Sequence, residues 1–243
     1  MTGLVPDWLL RRPIAHRGLH DEVIVENTLE AVEAAIEADY AVEIDLQLTA
    51  DGGLVMTHDA TLDRMTVERG RVIDHTLDEL REIRINGSEE TLSSVTDLLA
   101  LTSGRSALFI ELKAPYQQPQ KARMTAAIAK ALDTYGGAAA VMTFDPDLLA
   151  MLRTALPNTP LGILAGDEER SASLVSRFGR DMLLHMPRTK PDFVSYYATA
   201  LPHPAVRLAR RKRPILTWTV RSRVEAERVS HYSDQIIFED FLA

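Results

Sequence analysis

Short apolar runs alternate with amphipathic segments along the whole chain. Residues 41–48, AVEIDLQL, and residues 107–113, ALFIELK, are two such runs. Apolar runs of roughly four to eight residues that are bounded by turn residues are typical of buried strands. We interpret as strands the runs at residues 13–16, 41–48, 54–58, 107–113, 138–144, 161–166, 192–198, 214–220 and 234–240. Residues 181–186 are a second candidate for the strand that we place at 192–198.

Helical spacing of apolar residues follows most of these runs. Leu29, Val32 and Ile36 recur at helical intervals after Asn27-Thr28-Leu29-Glu30, which predicts a capping box with Asn27 as the N-cap. The remaining helices are predicted at residues 120–134, 167–179 and 203–212, after Asp145-Pro146, and after Ser222, which opens a second capping box with Glu225.

Strand and helix units therefore repeat about eight times over 243 residues, with no dinucleotide-type glycine fingerprint. This pattern predicts an α/β fold of the (β/α)8 TIM barrel class, and an open doubly wound sheet is the main alternative. Residues 60–104 fit the alternation poorly. They predict two short helices joined by a polar loop, as a small excursion over one mouth of the barrel. No repeat or linker divides the chain, so we expect residues 1–243 to form a single domain.

Composition narrows the classes of function. The chain contains no cysteine, which excludes disulfides, thiolate metal sites and cysteine nucleophiles. A net charge of −8, from 35 acidic and 27 basic residues, argues against a nucleic-acid partner. No apolar run approaches the ~20 residues of a membrane span, and the first residues lack a signal-peptide core. We therefore expect a cytoplasmic protein without stable membrane insertion.

Three acidic residues lie inside apolar runs. Glu43 and Asp45 are two residues apart in one predicted strand, so their side chains point to the same face. Glu111 lies in the strand at 107–113. Buried carboxylates on one face repel each other and lose hydration unless a cation compensates them. All-carboxylate ligation suits one hard divalent cation such as Mg or Ca.

Two histidines and two basic residues complete this group. His16 and His58 end predicted strands, Arg17 follows His16, and Lys113 lies two residues after Glu111. A cation would bind a phosphoryl oxygen, Arg17 and Lys113 would neutralise phosphate charge, and the two imidazoles would supply a general base and a general acid. Histidine suits both roles because its ordinary pKa is near neutral.

Each of these residues also has a simpler interpretation. Glu43 and Asp45 could form buried ion pairs with arginines, Glu111 and Lys113 could pair with each other, and a single buried histidine is usually a hydrogen-bonded core residue. The remaining histidines are interpreted as structural or surface residues. The metal and acid–base interpretation is preferred because the simpler ones would all have to hold at once.

Five motifs in order resemble the glycerophosphodiester phosphodiesterase family: IAHRG, ENTLEAVEAAIEA, VEIDLQLTADGGLVMTHDATLDRMT, LFIELK and LTWTV. The resemblance covers nearly the whole chain. It implies a (β/α)8 barrel with a small insertion after the second strand, and hydrolysis of a small-molecule glycerophosphodiester to glycerol 3-phosphate and an alcohol. It implies His16 and His58 as the acid–base pair, and Trp218 as a wall of the substrate pocket. It further implies Arg17 and Lys113 as phosphate contacts, and Glu43, Asp45 and Glu111 as metal ligands.

The sequence departs from the family pattern at three places. Val25 stands where proline is common, Arg221 where asparagine is common, and Glu239-Asp240 where Thr-Asp is usual. We expect none of these to touch the metal ligands or the histidines. Arg221 could add positive charge to the pocket, or could be a surface residue. The rival functions are a lysophospholipase D, a non-catalytic phosphate-ester binding protein and, with less support, a metal-dependent sugar isomerase.

Overall fold

Eight parallel strands close into a barrel in the computed structural model, which describes residues 5–166, 179 and 181–243. Closure is complete within these ranges because β1 pairs in parallel with both β2 and β9. This confirms the TIM barrel prediction and excludes the open sheet. The strands are β1 (Ile14–Ala15), β2 (Ala41–Leu48), β3 (Leu54–Met56), β4 (Leu108–Leu112), β5 (Ala139–Thr143), β6 (Leu161–Ala165), β7 (Phe193–Tyr197), β8 (Ile215–Val220) and β9 (Gln235–Phe238).

Helices connect the strands and cover the outer face of the barrel. Three single-turn 3-10 helices, Asp7–Leu10, Val72–Asp74 and Ala198–Ala200, accompany them among the described residues. The α-helices of the described ranges are α1 (Leu29–Glu37), α2 (Leu77–Arg81), α3 (Val95–Thr102), α4 (Gln118–Asp133), α5 (Pro146–Ala155), α6 (Met186–Thr189), α7 (Pro204–Ala209) and α8 (Arg223–Ser230).

Alternation along each strand separates two apolar layers. In β4, Phe109 points into the barrel, whereas Ile110 belongs to the cluster between the barrel and the helices. The interior layer is closed at the amino-terminal end by the first 3-10 helix, where Leu9 is fully buried and Trp8 packs edge-on against Phe109. The interior is therefore filled at one end, which leaves the opposite, carboxyl end of the strands for a site.

The segment between β2 and α3 departs from the regular alternation. β3 runs antiparallel to β2, and the residues that follow have a separate apolar cluster. The two helices predicted in residues 60–104 are α2 and α3. Val95 and Leu98 of α3 belong to the main core, so α3 packs on the barrel like the other connecting helices. The separate cluster consists of Val55, Leu62, Val72, Leu80, Ile85 and Leu92.

The structure tests several of the predicted helix caps and strands. Thr28, not Asn27, is the N-cap of α1, because its side chain accepts a hydrogen bond from the backbone of Ala31. Asp145 caps α5 as predicted. The strand candidate at 192–198 is confirmed as β7, and residues 181–186 form no strand. The helix predicted at 167–179 falls almost wholly outside the described residues.

In the part of the chain that the structure describes, every helix is too short or too polar to traverse a bilayer.

Candidate active site

Three carboxylates meet at the carboxyl end of two neighbouring strands. Asp45 of β2 is in register with Glu111 of β4, and Glu43 lies two residues before Asp45 on the same face. All three side chains are buried, and one oxygen of each lies within 4.8 Å of those of the other two. The period of two along parallel strands thus produces the cluster that the sequence predicts.

Two basic side chains partly compensate this cluster. Lys113 Nζ lies 2.6 Å from Glu111 Oε1 and 2.8 Å from Asp45 Oδ1, and Arg17 Nε lies 3.3 Å from Asp45 Oδ2. Burial lowers the pKa of Lys113, but Asp45 and Glu111 outweigh it and raise that pKa. For Asp45, burial acts in the opposite direction and is outweighed by Lys113 and Arg17, which hold its pKa well below its usual range.

Glu43 differs from its two neighbours. Burial, and then the charges of Asp45 and Glu111, raise the pKa of Glu43 well above its usual range. Its Oε1 atom is buried and has no hydrogen-bond partner. Three carboxylates against two cations leave one negative charge uncompensated, and Glu43 carries that deficit. An orphaned carboxylate oxygen among clustered oxygen donors fits a hard divalent cation held by Glu43, Asp45 and Glu111.

The loop after β1 holds the carboxylates in place. Arg17 has φ of 55°, and its backbone N–H donates to Glu43 Oε2 at 2.9 Å. Gly18 follows with φ of 80°, and a Cβ there would lie 2.7 Å from the backbone of Ala31 in α1. A side chain at residue 18 would therefore push the loop away from α1, and the Arg17 N–H away from Glu43.

Asn27 is a site residue that the sequence analysis misassigned as a helix cap. Its Nδ2 donates to Asp45 Oδ2, and its Oδ1 accepts from the backbone N–H of Asp45, both at 3.0 Å. This pair of bonds orients the Asp45 carboxylate. Its backbone φ is 55°, a conformation that asparagine tolerates better than most residues. The capping pattern in the sequence does not indicate this conformation.

His16 lies directly after β1, beside the carboxylates. Its Nε2 is 3.9 Å from Glu43 Oε2, and its Nδ1 is 2.5 Å from Glu239 Oε2. Burial lowers the pKa of the imidazole, although the hydrogen bond with Glu239 acts to raise it. The expectation that no departure from the family pattern touches a histidine is therefore wrong. Barrel closure between β1 and β9 brings residue 239 to residue 16, a contact between the two ends of the chain.

His58 follows β3 and has a similar partner. Its Nδ1 lies 2.7 Å from Asp59 Oδ1, and Arg64 Nε donates to Asp59 Oδ2 at 2.6 Å. Arg64 also donates to Glu26 Oε1, which accepts from Arg17 as well. Burial lowers the pKa of His58, and the charge of Asp45 acts against that effect.

A cavity of about 500 Å³ opens above these groups. Trp218 forms part of its wall, tilted against Tyr197 with ring centroids 5.1 Å apart and edge-on to Phe144 at 5.4 Å. Trp218 was predicted from the sequence, but Tyr197 and Phe144 were not. Neither lies in a recognisable motif, and both come next to Trp218 only when the strands assemble. Trp218 lies within β8 rather than at its end, and its Nε1 donates to the Ser195 carbonyl at 3.2 Å.

Seven of the eight predicted site residues line this one cavity, and Asp45 lies beneath it in contact with Lys113 and Arg17. Arg221 also lines the cavity. The sequence had left two alternatives for this residue, a pocket residue or a surface residue. Glu111 and Lys113 do pair with each other, as the simpler interpretation proposed, but they do so inside the cluster. The seven lining residues are His16, Arg17, Glu43, His58, Glu111, Lys113 and Trp218.

The model of the glycerophosphoryl diester phosphodiesterase family matches residues 16–243. The chain belongs to that family. Among curated members, the glycerophosphodiester phosphodiesterase of Caldanaerobacter subterraneus subsp. tengcongensis is 47% identical over 72 residues, which are 29% of this chain and 29% of that protein. The enzyme of the same name from Bacillus subtilis is 43% identical over 82 residues, 33% of this chain and 27% of its own length. These alignments thus span less than a third of either relative.

Solved structures share the fold over nearly the full length. A structure from Silicibacter pomeroyi DSS-3 has a TM-score of 0.81 at 24% identity, and covers 95% of this chain and 90% of that one. A phosphodiesterase from Oleispira antarctica, in complex with the product sn-glycerol-3-phosphate, has a TM-score of 0.79 at 21% identity, with coverage of 96% and 94%. At this identity the likeness concerns the barrel, and the chemistry depends on the residues described above.

Proposed function

We propose that this protein is a metal-dependent phosphodiesterase, which hydrolyses glycerophosphodiesters to glycerol 3-phosphate and an alcohol. One observation carries the proposal: three buried carboxylates and two carboxylate-paired imidazoles border a single cavity at the carboxyl end of the barrel. Membership of the glycerophosphoryl diester phosphodiesterase family supports the same reaction. The product complex of the Oleispira antarctica relative supports a small-molecule substrate of this class.

The basic residues of the cavity suit a phosphodiester. Lys113 and Arg17 are already fixed by Asp45, so their positions do not depend on the substrate. Their side chains border the cavity and carry N–H groups that suit phosphate oxygens. In this proposal they bind the anionic centre of the substrate and hold it between the two histidines.

His16 and His58 act as the acid–base pair. One imidazole removes a proton from the attacking oxygen, and the other gives a proton to the departing alkoxide, which is a poor leaving group without it. Each ring has a carboxylate at Nδ1, so each ring has Nε2 free for proton exchange.

Glu43, Asp45 and Glu111 would hold one divalent cation, Mg or Ca, which when bound polarises the phosphoryl group. Every donor in the set is a carboxylate oxygen, which favours a hard cation over a softer metal. Asn27 and the Arg17 backbone fix the orientation of two of these carboxylates.

The aromatic wall faces the non-reacting part of the substrate. Trp218, Tyr197 and Phe144 pack against one another and border the cavity. Their ring faces offer an apolar surface against which the carbon skeleton of a glycerol unit can pack, while the charged residues opposite bind the phosphate.

A panel of substrates tests the proposal. Glycerophosphocholine, glycerophosphoethanolamine and a micellar lysolipid are assayed with Mg, Ca or Mn, and released glycerol 3-phosphate and alcohol are measured. We expect turnover of the glycerophosphodiesters, its loss after exhaustive EDTA treatment, and its recovery with Mg or Ca. Full activity after EDTA would contradict the metal role.

The same panel separates the rival functions. Much faster turnover of the lysolipid would identify a lysophospholipase D, and saturable binding without turnover at any metal concentration would identify a binding protein. The cytoplasmic location expected from the sequence stays a prediction, which fractionation of the source cells would test.

A further inference from the structure

The carboxylate that faces His16 bridges two partners. Glu239 Oε2 lies 2.5 Å from His16 Nδ1, and Glu239 Oε1 lies 2.5 Å from Arg221 Nη2. Arg221 Nε is also 3.6 Å from Asp240 Oδ2. The side chain of Arg221 is 53% exposed, whereas those of Glu239 and His16 are only 11% and 12% exposed. The three groups therefore connect the solvent-facing rim to the cavity.

We propose that Glu239, anchored by Arg221, is a positioning residue for His16, which it holds as the tautomer with the proton on Nδ1 and Nε2 facing the carboxylate cluster. The kinetic part of this inference rests on the proposed function, since His16 affects a rate only if the protein is a phosphodiesterase.

Hydrogen-bond chemistry determines the tautomer. An ionised carboxylate only accepts, so His16 Nδ1 must donate, and a neutral ring then keeps its lone pair on Nε2. Burial alone would raise the pKa of Glu239, but the hydrogen bond with His16 and the charges of His16 and Arg221 hold it well below its usual range. His16 Nε2 lies 3.9 Å from Glu43 Oε2, so it faces the carboxylates. Nε2 is thus the nitrogen that can exchange a proton with a substrate bound there.

The backbone fixes the same geometry. His16 N–H donates to the Phe238 carbonyl at 2.9 Å, and Ala15 pairs with Phe238 across β1 and β9. Residues 16 and 239 therefore leave their strands side by side. With the backbones tied, the remaining freedom of Glu239 is in its side-chain torsions, and the ion pair with Arg221 restricts those.

The position of Glu239 also fits a different role, that of a cation ligand. His20 Nε2 lies 3.7 Å from Glu239 Oε2, and His16, His20 and Glu239 are close enough to hold a metal ion together. If Glu239 acted as a cation ligand, His20 would matter as much as Glu239. If Glu239 acts as a positioning residue, His20 contributes little, because the Nδ1 contact does not involve it.

The proposal is tested by measuring kcat and KM on glycerophosphocholine with saturating Mg. We expect E239A to lower kcat on the order of 10- to 100-fold, with little change in KM, because an unoriented ring affects proton exchange rather than binding. E239Q should retain most activity, since its amide oxygen can still accept from Nδ1. R221A should cost a few-fold alone and nothing further in the E239A background. H20A, and R223A as a control for the loss of a nearby exposed arginine, should match the wild type.

Nitrogen-15 spectra of the imidazole rings provide a readout that needs no turnover. The wild type and E239Q should show His16 with a protonated Nδ1 and an unprotonated Nε2, whereas E239A should show a mixture of tautomers. A merely structural role would lower the thermal midpoint without changing the tautomer.

Three results would overturn the inference: an unchanged tautomer in E239A, kcat of E239A equal to wild type, or a loss in H20A as large as in E239A. If the wild-type protein turned over no phosphodiester, the proposed function would fail first. The tautomer of His16 would still decide whether Glu239 positions the ring.

Discussion

The two imidazoles at the barrel mouth are held by the same kind of partner, but the two partners lie at very different distances along the chain. Each has a carboxylate at Nδ1, and each carboxylate is bound by an arginine. For His58 that carboxylate is the next residue, Asp59, whereas for His16 it is Glu239, 223 positions away. The side chain of His16 is 12% exposed and that of His58 is 30% exposed.

The sequence predicted both histidines but neither carboxylate partner, and the two partners differ in how far a local motif could have indicated them. A local pair can be recognised in a motif, and His58-Asp59 is such a pair. The partner of His16 is created by closure of the barrel, which places the end of β9 beside the end of β1. The more buried ring thus depends on the longest-range contact, and we expect it to be the more sensitive of the two to loss of its partner.

Removal of either ring should have the largest effect. We expect H16A and H58A each to lower kcat by about 10²- to 10⁴-fold, because each loses one proton-transfer partner. The measurement is turnover of glycerophosphocholine, with circular dichroism and thermal unfolding as controls for the fold. A rate like that of the wild type in either variant would refute the acid–base assignment.

Removal of the carboxylate partners should lower kcat to different extents for the two histidines. We expect D59A to lower kcat by about tenfold, less than E239A, because water can replace the partner of the more exposed His58 ring. The kcat values of D59A and E239A are measured under the same conditions. Equal losses, or a larger loss in D59A, would mean that burial does not determine the dependence of each ring on its partner.

The smallest expected effect concerns Arg64 and stability. Burial would raise the pKa values of Asp59 and Glu26, but hydrogen bonds from Arg64 outweigh it and lower both. Carboxyl groups with lowered pKa values stabilise the fold above their unfolded pKa values, near ~4, and that stabilisation is lost as the pH falls through the folded values. Since Arg64 is half-exposed, R64A should lower the free energy of unfolding by only about 0.5–1 kcal/mol at pH 7.

Urea unfolding of the wild type and R64A at pH 7 and at acidic pH checks this expectation. The difference between the two proteins should shrink as the pH falls below ~4. R71A, in the same inserted segment, is the control, because Arg71 and Asp74 form an exposed pair 4.0 Å apart. A difference for R64A that persists unchanged in acid would show that packing, not ion pairing, is the cause.

The fold and most of the site could be predicted from the sequence for a physical reason. Strand alternation has a period of two, so Glu43 and Asp45 had to share a face, and parallel strands present their carboxyl ends at the same mouth of the barrel. Asn27 could not be assigned in this way, since the same four residues fit a helix cap. Its bonds to Asp45 form only in the folded chain, where its backbone φ is 55°. Phe144, Tyr197 and Glu239 depend on neighbours from other strands, which no local pattern specifies.

In the proposed mechanism, His16 and His58 divide two proton transfers across one phosphodiester. The most direct test compares H16A and H58A on glycerophosphocholine and on a glycerophosphodiester of p-nitrophenol, whose phenolate leaves without protonation. We predict that one variant, the one lacking the general acid, regains most of its rate on the p-nitrophenyl ester, and that the other stays slow on both substrates. Equal slowing of both variants on both substrates would contradict the division of roles.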